Sequence, residues 1–195
     1  MLRVAPLVIA YATWFIFILA WNLFDKPATT IAVAGERRER LHSLVLALAI
    51  VMLVVAPVTL KAGRNWVNPP GLDWAMLLVM AAAIAWCWWA RRHLGPLWSA
   101  AVTRKEGQRV VDTGAYRFVR HPIYTGFIVI YIAMAVISTT VMALAAAAVM
   151  ALGLWLKARV EEQFLIEELG ASTYGAYQAR TPMLVPGMRR ARGAE

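Results

Sequence analysis

The chain has one cysteine, Cys87, in 195 residues. One cysteine closes no internal disulfide and builds no zinc cluster. Charge is also scarce, at 16% of residues, where a soluble domain carries about 25%. Acidic side chains are the scarcer sign, 11 against 20 Lys and Arg. The sequence contains no G-x-G-x-x-G, no G-x-x-x-x-G-K-[ST] and no H-E-x-x-H. These absences remove a disulfide scaffold, a Rossmann domain, a phosphate loop and a zincin from consideration. There is no internal repeat and no low-complexity tract. Any cofactor must be held by apolar helices and the segments that join them.

What is present is apolar sequence, 61% of the chain. Residues 4–24, 43–60, 74–90 and 122–156 hold no Asp, Glu, Lys or Arg. A helix needs about 20 apolar residues to cross roughly 30 Å of hydrocarbon. The first three runs each fit one crossing. The fourth would be about 52 Å long as one helix, too long for a single span. Ser138-Thr139-Thr140 near its middle suits a tight turn, so it reads as two helices over 122–137 and 140–158. The expectation is an all-α polytopic membrane protein with five spans. A cleaved signal peptide is the rival reading of the first run, because Ala32-Val33-Ala34 resembles a cleavage triplet. That run is longer than a signal-peptide core, and the triplet lies well past its end.

The net charge of +9 invites a nucleic-acid reading, which the distribution of charge opposes. Five spans place Arg3, Lys61 and Arg64 on one side of the membrane. All other Lys and Arg, in 25–42, 91–121 and the tail from 157, fall on the opposite side. The positive-inside rule then puts the N-terminus out and the C-terminus in the cytosol. Topology and anionic lipid account for the basic pI without DNA or RNA.

Residues 1–90 form a three-span part with little sign of chemistry. Asn22 and Pro57 have structural readings, interhelix packing and a helix bend. Cys87 reads as a small packing residue, and Trp86, Trp88 and Trp89 as interface anchors. Residues 91–195 are richer in polar groups and integrate with the first part into one domain. Segment 91–120 exceeds a minimal connector, and loops of that length usually carry function. After the fifth span, Val160, Phe164, Leu165, Ile166 and Leu169 continue a helical stripe. That helix therefore projects beyond the membrane and stops at Gly170.

Two clusters stand out. Tyr116, Arg117, Arg120, His121 and Tyr124 sit at the mouth of the fourth span, with Pro122 placed for a helix first turn. An interface cap for lipid headgroups is the plain alternative. Lys157, Arg159, Glu161 and Glu162 follow the fifth span, and a solvated helix end with Lys157 and Glu161 paired at i, i+4 is the alternative there. The hairpin brings both clusters to one membrane face. An acid beside aromatic and cationic groups at a lipid boundary makes a pocket for a zwitterionic cofactor and a lipid-like substrate.

The runs Leu94-Gly-Pro-Leu-Trp-Ser99, Arg109-Val-Val-Asp-Thr-Gly-Ala-Tyr116, Arg120-His-Pro-Ile-Tyr124 and Glu161-Glu162, then Gly170, Tyr174, Tyr177 and Pro186, are present in that order. Together they resemble the isoprenylcysteine carboxyl methyltransferase family, in its short five-helix prokaryotic form, over about residues 94–187. The resemblance implies methyl transfer from S-adenosylmethionine to the carboxylate of a prenylated cysteine or another lipidic acceptor, in a prokaryotic cytoplasmic membrane with the site facing the cytosol. It implies that Gln108, Arg109, Val110 and Val111 line the adenosine. Tyr116 and the turn His121-Pro122-Ile123-Tyr124 would hold the donor, and Glu161 its α-amino group. Many members carry His at the Gln108 position. The family's substrate-binding Arg falls on Lys157, with Arg159 as the other candidate. No general base and no metal are implied, and the sequence does not set the oligomeric state. A phospholipid N-methyltransferase shares a looser version of the motif. A non-catalytic scaffold of the same fold is the alternative from another class, and its sign would be a collapsed pocket around Tyr116, His121 and Glu161.

Overall fold

A computed structural model describes residues 4–23, 30–33, 36–55, 65–98, 103–105, 107 and 109–187, with side chains in 4–23, 43–55, 65–98, 107 and 109–187. Six α-helices make up most of this. They are α1 (Val4–Leu23), α2 (Glu36–Val55), α3 (Leu72–Leu94), α4 (Pro122–Ser138), α5 (Val141–Leu169) and α6 (Ala171–Arg180). By length and composition, α1, α5 and the stretch Leu72–Leu97 can cross a membrane; Ser43–Val55 and Pro122–Ser138 are shorter apolar helices. In hydrocarbon a helix satisfies its own backbone, so these sequences fold as helices even where Val and Ile are dense.

Helix ends follow their sequence signals. Pro122 opens α4, where its missing N–H is no loss. Thr139 turns the chain with φ +53°, and the Thr140 hydroxyl accepts from the Ala143 amide as the α5 N-cap. The hairpin turn therefore falls on the Ser-Thr-Thr run. α5 continues past Leu156 through the charged section from Lys157 and ends at Gly170, whose φ is +85°. Asn22 caps its own helix, donating to the Ile18 carbonyl at 2.7 Å, and does not pack between helices. Pro57 lies outside the described residues.

The helices run up and down. Arg91 at the end of α3 reaches Trp21 at the end of α1, and Trp86 donates to the Pro122 carbonyl where α4 begins. α2 packs along α5 and α3 along α4. Both contacts are close because glycine is at the crossing. A Cβ on Gly126 would lie 2.3 Å from Cys87 Sγ, and one on Gly153 would lie 3.0 Å from Val45 and Leu46. Small residues let membrane helices gain packing that water does not drive for them. The buried core is accordingly Ala-rich along α5, with Ala143, Ala146 and Ala147, and is completed by Met80, Ile130, Tyr131 and Met134.

One feature departs from an all-helical reading. Strands β1 (Thr30–Val33) and β2 (Thr103–Lys105) pair antiparallel. They join the α1–α2 and α3–α4 connections, so both lie at the same end of the bundle.

Candidate functional site

The site forms where α4 begins and the charged section of α5 begins. His121 precedes Pro122, and the short 3₁₀ turn Gly114–Arg117 precedes both. Gly114 holds φ +59°, and a Cβ there would meet the His93 ring at 2.3 Å. The turn therefore tucks under the end of α3 and buries Tyr116. On the facing helix, Glu161 and Glu162 are adjacent and diverge by about 100° around the axis.

That divergence gives them different neighbours. Glu162 has a 7% exposed side chain and accepts from Arg120 Nε at 2.6 Å and Nη2 at 3.2 Å. It also accepts from His121 Nε2 at 3.1 Å and Gln178 Nε2 at 2.8 Å. Burial alone would raise its carboxyl, but the hydrogen bonds from His121 and Arg120 outweigh that and hold it down at about 2. Glu161 is 32% exposed and faces open space. The Tyr124 hydroxyl donates to its Oε2 at 2.7 Å. His121 Nδ1 lies 3.6 Å from the same oxygen, and the His121 and Tyr124 rings stack at 5.3 Å and 3°.

The C-terminal strap closes the site from outside. Arg120 N donates to Pro182 O at 2.9 Å, His121 N to Met183 O at 3.1 Å, and Thr125 Oγ1 to Leu184 O at 2.7 Å. Arg120 Nη1 adds hydrogen bonds to the Gln178 and Thr181 carbonyls. From α6, Tyr177 donates to Tyr116 O at 2.7 Å, and Arg180 pairs with Asp112. Burial pushes the phenols of Tyr116, Tyr174 and Tyr177 up, so all three stay neutral donors.

These elements enclose a cavity of about 270 Å³, near the lower end of small-molecule sites. Arg109, Val110, Val111, Tyr116, His121, Ile123, Tyr124, Lys157 and Glu161 line it. Pro122 is buried behind them, its carbonyl bonded to Trp86. Lys157 Nζ lies 5.7 Å from the Tyr124 ring centroid. Arg159 is exposed, outside the lining, with its guanidinium 5.4 Å from the Trp155 centroid. Gln108 lies outside the described residues.

The sequence did not point to several other lining groups. Trp21 of α1 and Leu46 and Ile50 of α2 form part of the apolar wall with Phe127, Met150 and Leu154. Nothing polar marks them, and only tertiary packing brings them in. Arg91, read from sequence as a loop cation, is 7% exposed. Its guanidinium sits 3.9 Å from the Trp98 centroid, 4.5 Å from Trp21 and 5.5 Å from Trp88. Trp88 thus boxes a cation rather than anchoring the interface alone. On α5 the lining residues Met150, Leu154, Lys157, Glu161 and Leu165 recur every three or four positions. A single helix face therefore carries Lys157 and Glu161 between apolar residues on either side.

Residues 74–167 match the sequence model of the Isoprenylcysteine carboxyl methyltransferase (ICMT) family. That stretch is just under half of the chain and runs from α3 to the charged section of α5. No curated protein matches the chain.

Proposed function

We propose that this protein is an S-adenosylmethionine-dependent methyltransferase of the membrane, acting on the carboxylate of a prenylcysteine-like or other lipidic acceptor. The observation that carries the reading is the mixed lining of the cavity. It sets a partly exposed carboxylate, Glu161, and a cation, Lys157, beside an apolar wall from four helices. The domain match over residues 74–167 supports the same reaction class. The charge distribution supports a site facing the cytosol. The short motif pattern supports a prokaryotic cytoplasmic membrane protein with five spans.

The residues present fit the donor. Glu161 offers a carboxylate to an α-ammonium through charge-assisted hydrogen bonds, and Tyr124 orients it. Arg109, Val110 and Val111 border the space suited to the adenosine. Tyr116, His121 and Ile123 shape its inner wall, with Pro122 behind them. When bound, S-adenosylmethionine supplies a methyl group already activated on a sulfonium. A carboxylate is already a nucleophile at neutral pH, so the chain's task is alignment and water exclusion. Lys157 lines the cavity and suits the acceptor carboxylate as a point charge, without the bidentate fork of an arginine. The exposed, outward placement of Arg159 favours Lys157 for this role.

A cation at the acceptor side favours a carboxylate over a phospholipid amine. The open cavity favours an enzyme over a scaffold. Calorimetry with S-adenosylhomocysteine on the purified chain tests the reading. Binding is expected, weakened about ten-fold or more by Glu161→Ala with an unchanged circular dichroism spectrum. Absence of binding, or an indifferent Glu161→Ala, refutes it. A radiolabelled methyl donor then separates acceptors: base-labile ester label supports the carboxylate, and headgroup label supports the amine.

A further inference from the structure

We propose that Glu162 is a positioning residue: from behind the cavity it holds His121 and Arg120, and through His121 it sets how Glu161 presents its carboxylate. The inference rests on the methyl-donor reading above and extends it to a residue that lies outside the cavity lining. Arg120, His121 and Glu161 all line the cavity, and Glu162 does not. Yet Glu162 accepts from four donor atoms on three side chains.

An ionised carboxylate has only acceptor capacity. His121 Nε2, 3.1 Å from Glu162 Oε1, therefore carries a hydrogen. Nδ1 is the ring nitrogen left to face Glu161, 3.6 Å from Oε2. Tyr124 donates to that same oxygen and stacks flat on the His121 ring. The Glu161 carboxylate is thus bounded by two parallel rings, and Glu162 fixes one of them. The logic is that of any catalytic imidazole held in orientation and tautomer by a carboxylate on its far nitrogen. Glu162 also fixes Arg120, whose remaining nitrogen reaches the Gln178 and Thr181 carbonyls. Loss of the Glu162 charge frees the histidine ring and loosens the strap together.

The test uses the full chain in detergent micelles with ¹⁵N-labelled histidine, as wild type, Glu162→Gln and Gln178→Ala. His121→Asn identifies the His121 signals by difference. In the wild type, Nε2 is expected to be protonated. In Glu162→Gln the ring should move to a mixture of forms. The analogue Kd and the donor KM should rise roughly ten- to hundred-fold, with kcat at saturating donor little changed. A merely structural Glu162 would lower kcat through a smaller active fraction and leave Kd, KM and the ring pattern of folded molecules alone. That outcome overturns the proposal. Gln178→Ala removes only one donor to Glu162 and decides the matter if Glu162→Gln does not fold. It should raise the analogue Kd by about three-fold, and an unmoved Kd overturns the proposal. Failure of the wild type to bind S-adenosylhomocysteine defeats the methyl-donor reading instead. An unprotonated Nε2 in the wild type defeats this one even where binding is tight.

Discussion

The two ends of the helix bundle are both polar, and they spend their polar groups differently. At the end away from the cavity, Asn65 N donates to Thr139 O and its Oδ1 accepts from Val141 N. Asn68 donates to the Val136 carbonyl at 2.8 Å and to Asp73. Apart from the Asn68 bond to Asp73, those groups are absorbed by the backbone at the end of α4 and the start of α5, and their work is structural. At the cavity end, charged side chains also pair with one another: Arg120 with Glu162, His121 with both glutamates, and Tyr124 joins Glu161. One carboxylate there is saturated and its neighbour is left facing open space. Polarity at a membrane boundary is thus a weak sign of function by itself. The partner of each polar group carries the information.

The largest expected difference between the ends comes from Arg120→Ala. It leaves Glu162 buried without its bidentate partner, which for a buried ion pair costs about 3–5 kcal/mol. Unfolding in detergent, followed by circular dichroism, should show that loss. A cost below about 1 kcal/mol would mean that the pair behaves as a surface pair, and the contrast between the ends would collapse. Acid probes the same charge without mutation. The Glu162 carboxyl is held at about 2 in the folded chain, below its ordinary value. The unfolded state therefore binds a proton first as pH falls. The stabilisation is complete above the ordinary carboxylate range and is lost progressively as pH drops toward 2. Glu162→Gln should flatten that part of the stability profile.

Asn68→Ala addresses the other end. It leaves the Val136 carbonyl without this donor and should cost about 1–3 kcal/mol. S-adenosylhomocysteine affinity should be unchanged, since the residue is far from the cavity. An affinity loss that follows the stability loss would show that the two ends are coupled through α4, and it would blur the distinction drawn above.

What the sequence made legible divides along the same line. Local signals were readable: Ser138-Thr139-Thr140 as a turn, Pro122 as a helix start, Gly170 as a stop, and the charged extension of α5. The meeting of segment 109–124 with 157–162 followed from the hairpin alone. Long-range backbone pairing was not readable. The strap from Pro182 to Leu184 holds residues 120–125 through its own main-chain carbonyls, which leave no side-chain pattern in the strap. The β1–β2 ladder and helix α6 escaped for related reasons: one joins segments some seventy residues apart, and the other is a short helix whose role is to dock. Arg91 shows the limit most plainly. As sequence it is one more basic residue after a span, and its burial among Trp21, Trp88 and Trp98 exists only once α1 lies against α3.

The smallest effect should come from Arg180→Ala. Arg180 and Asp112 pair at the rim with side chains 56% and 45% exposed. Solvent and salt screen such a pair, so its removal should cost under about 1 kcal/mol and less still at high ionic strength. Yet the pair joins α6 to the segment before Tyr116, beside the buried Tyr177 bond to the Tyr116 carbonyl. Two roles therefore separate cleanly. If the pair only decorates the surface, Arg180→Ala leaves both stability and S-adenosylhomocysteine affinity within error. If it helps keep α6 closed over the cavity, stability holds while the analogue dissociates faster, an effect that stopped-flow fluorescence of the nearby tryptophans can follow. The first outcome confines the working polar groups of the cavity end to the buried set around Glu162. The second extends them to the rim.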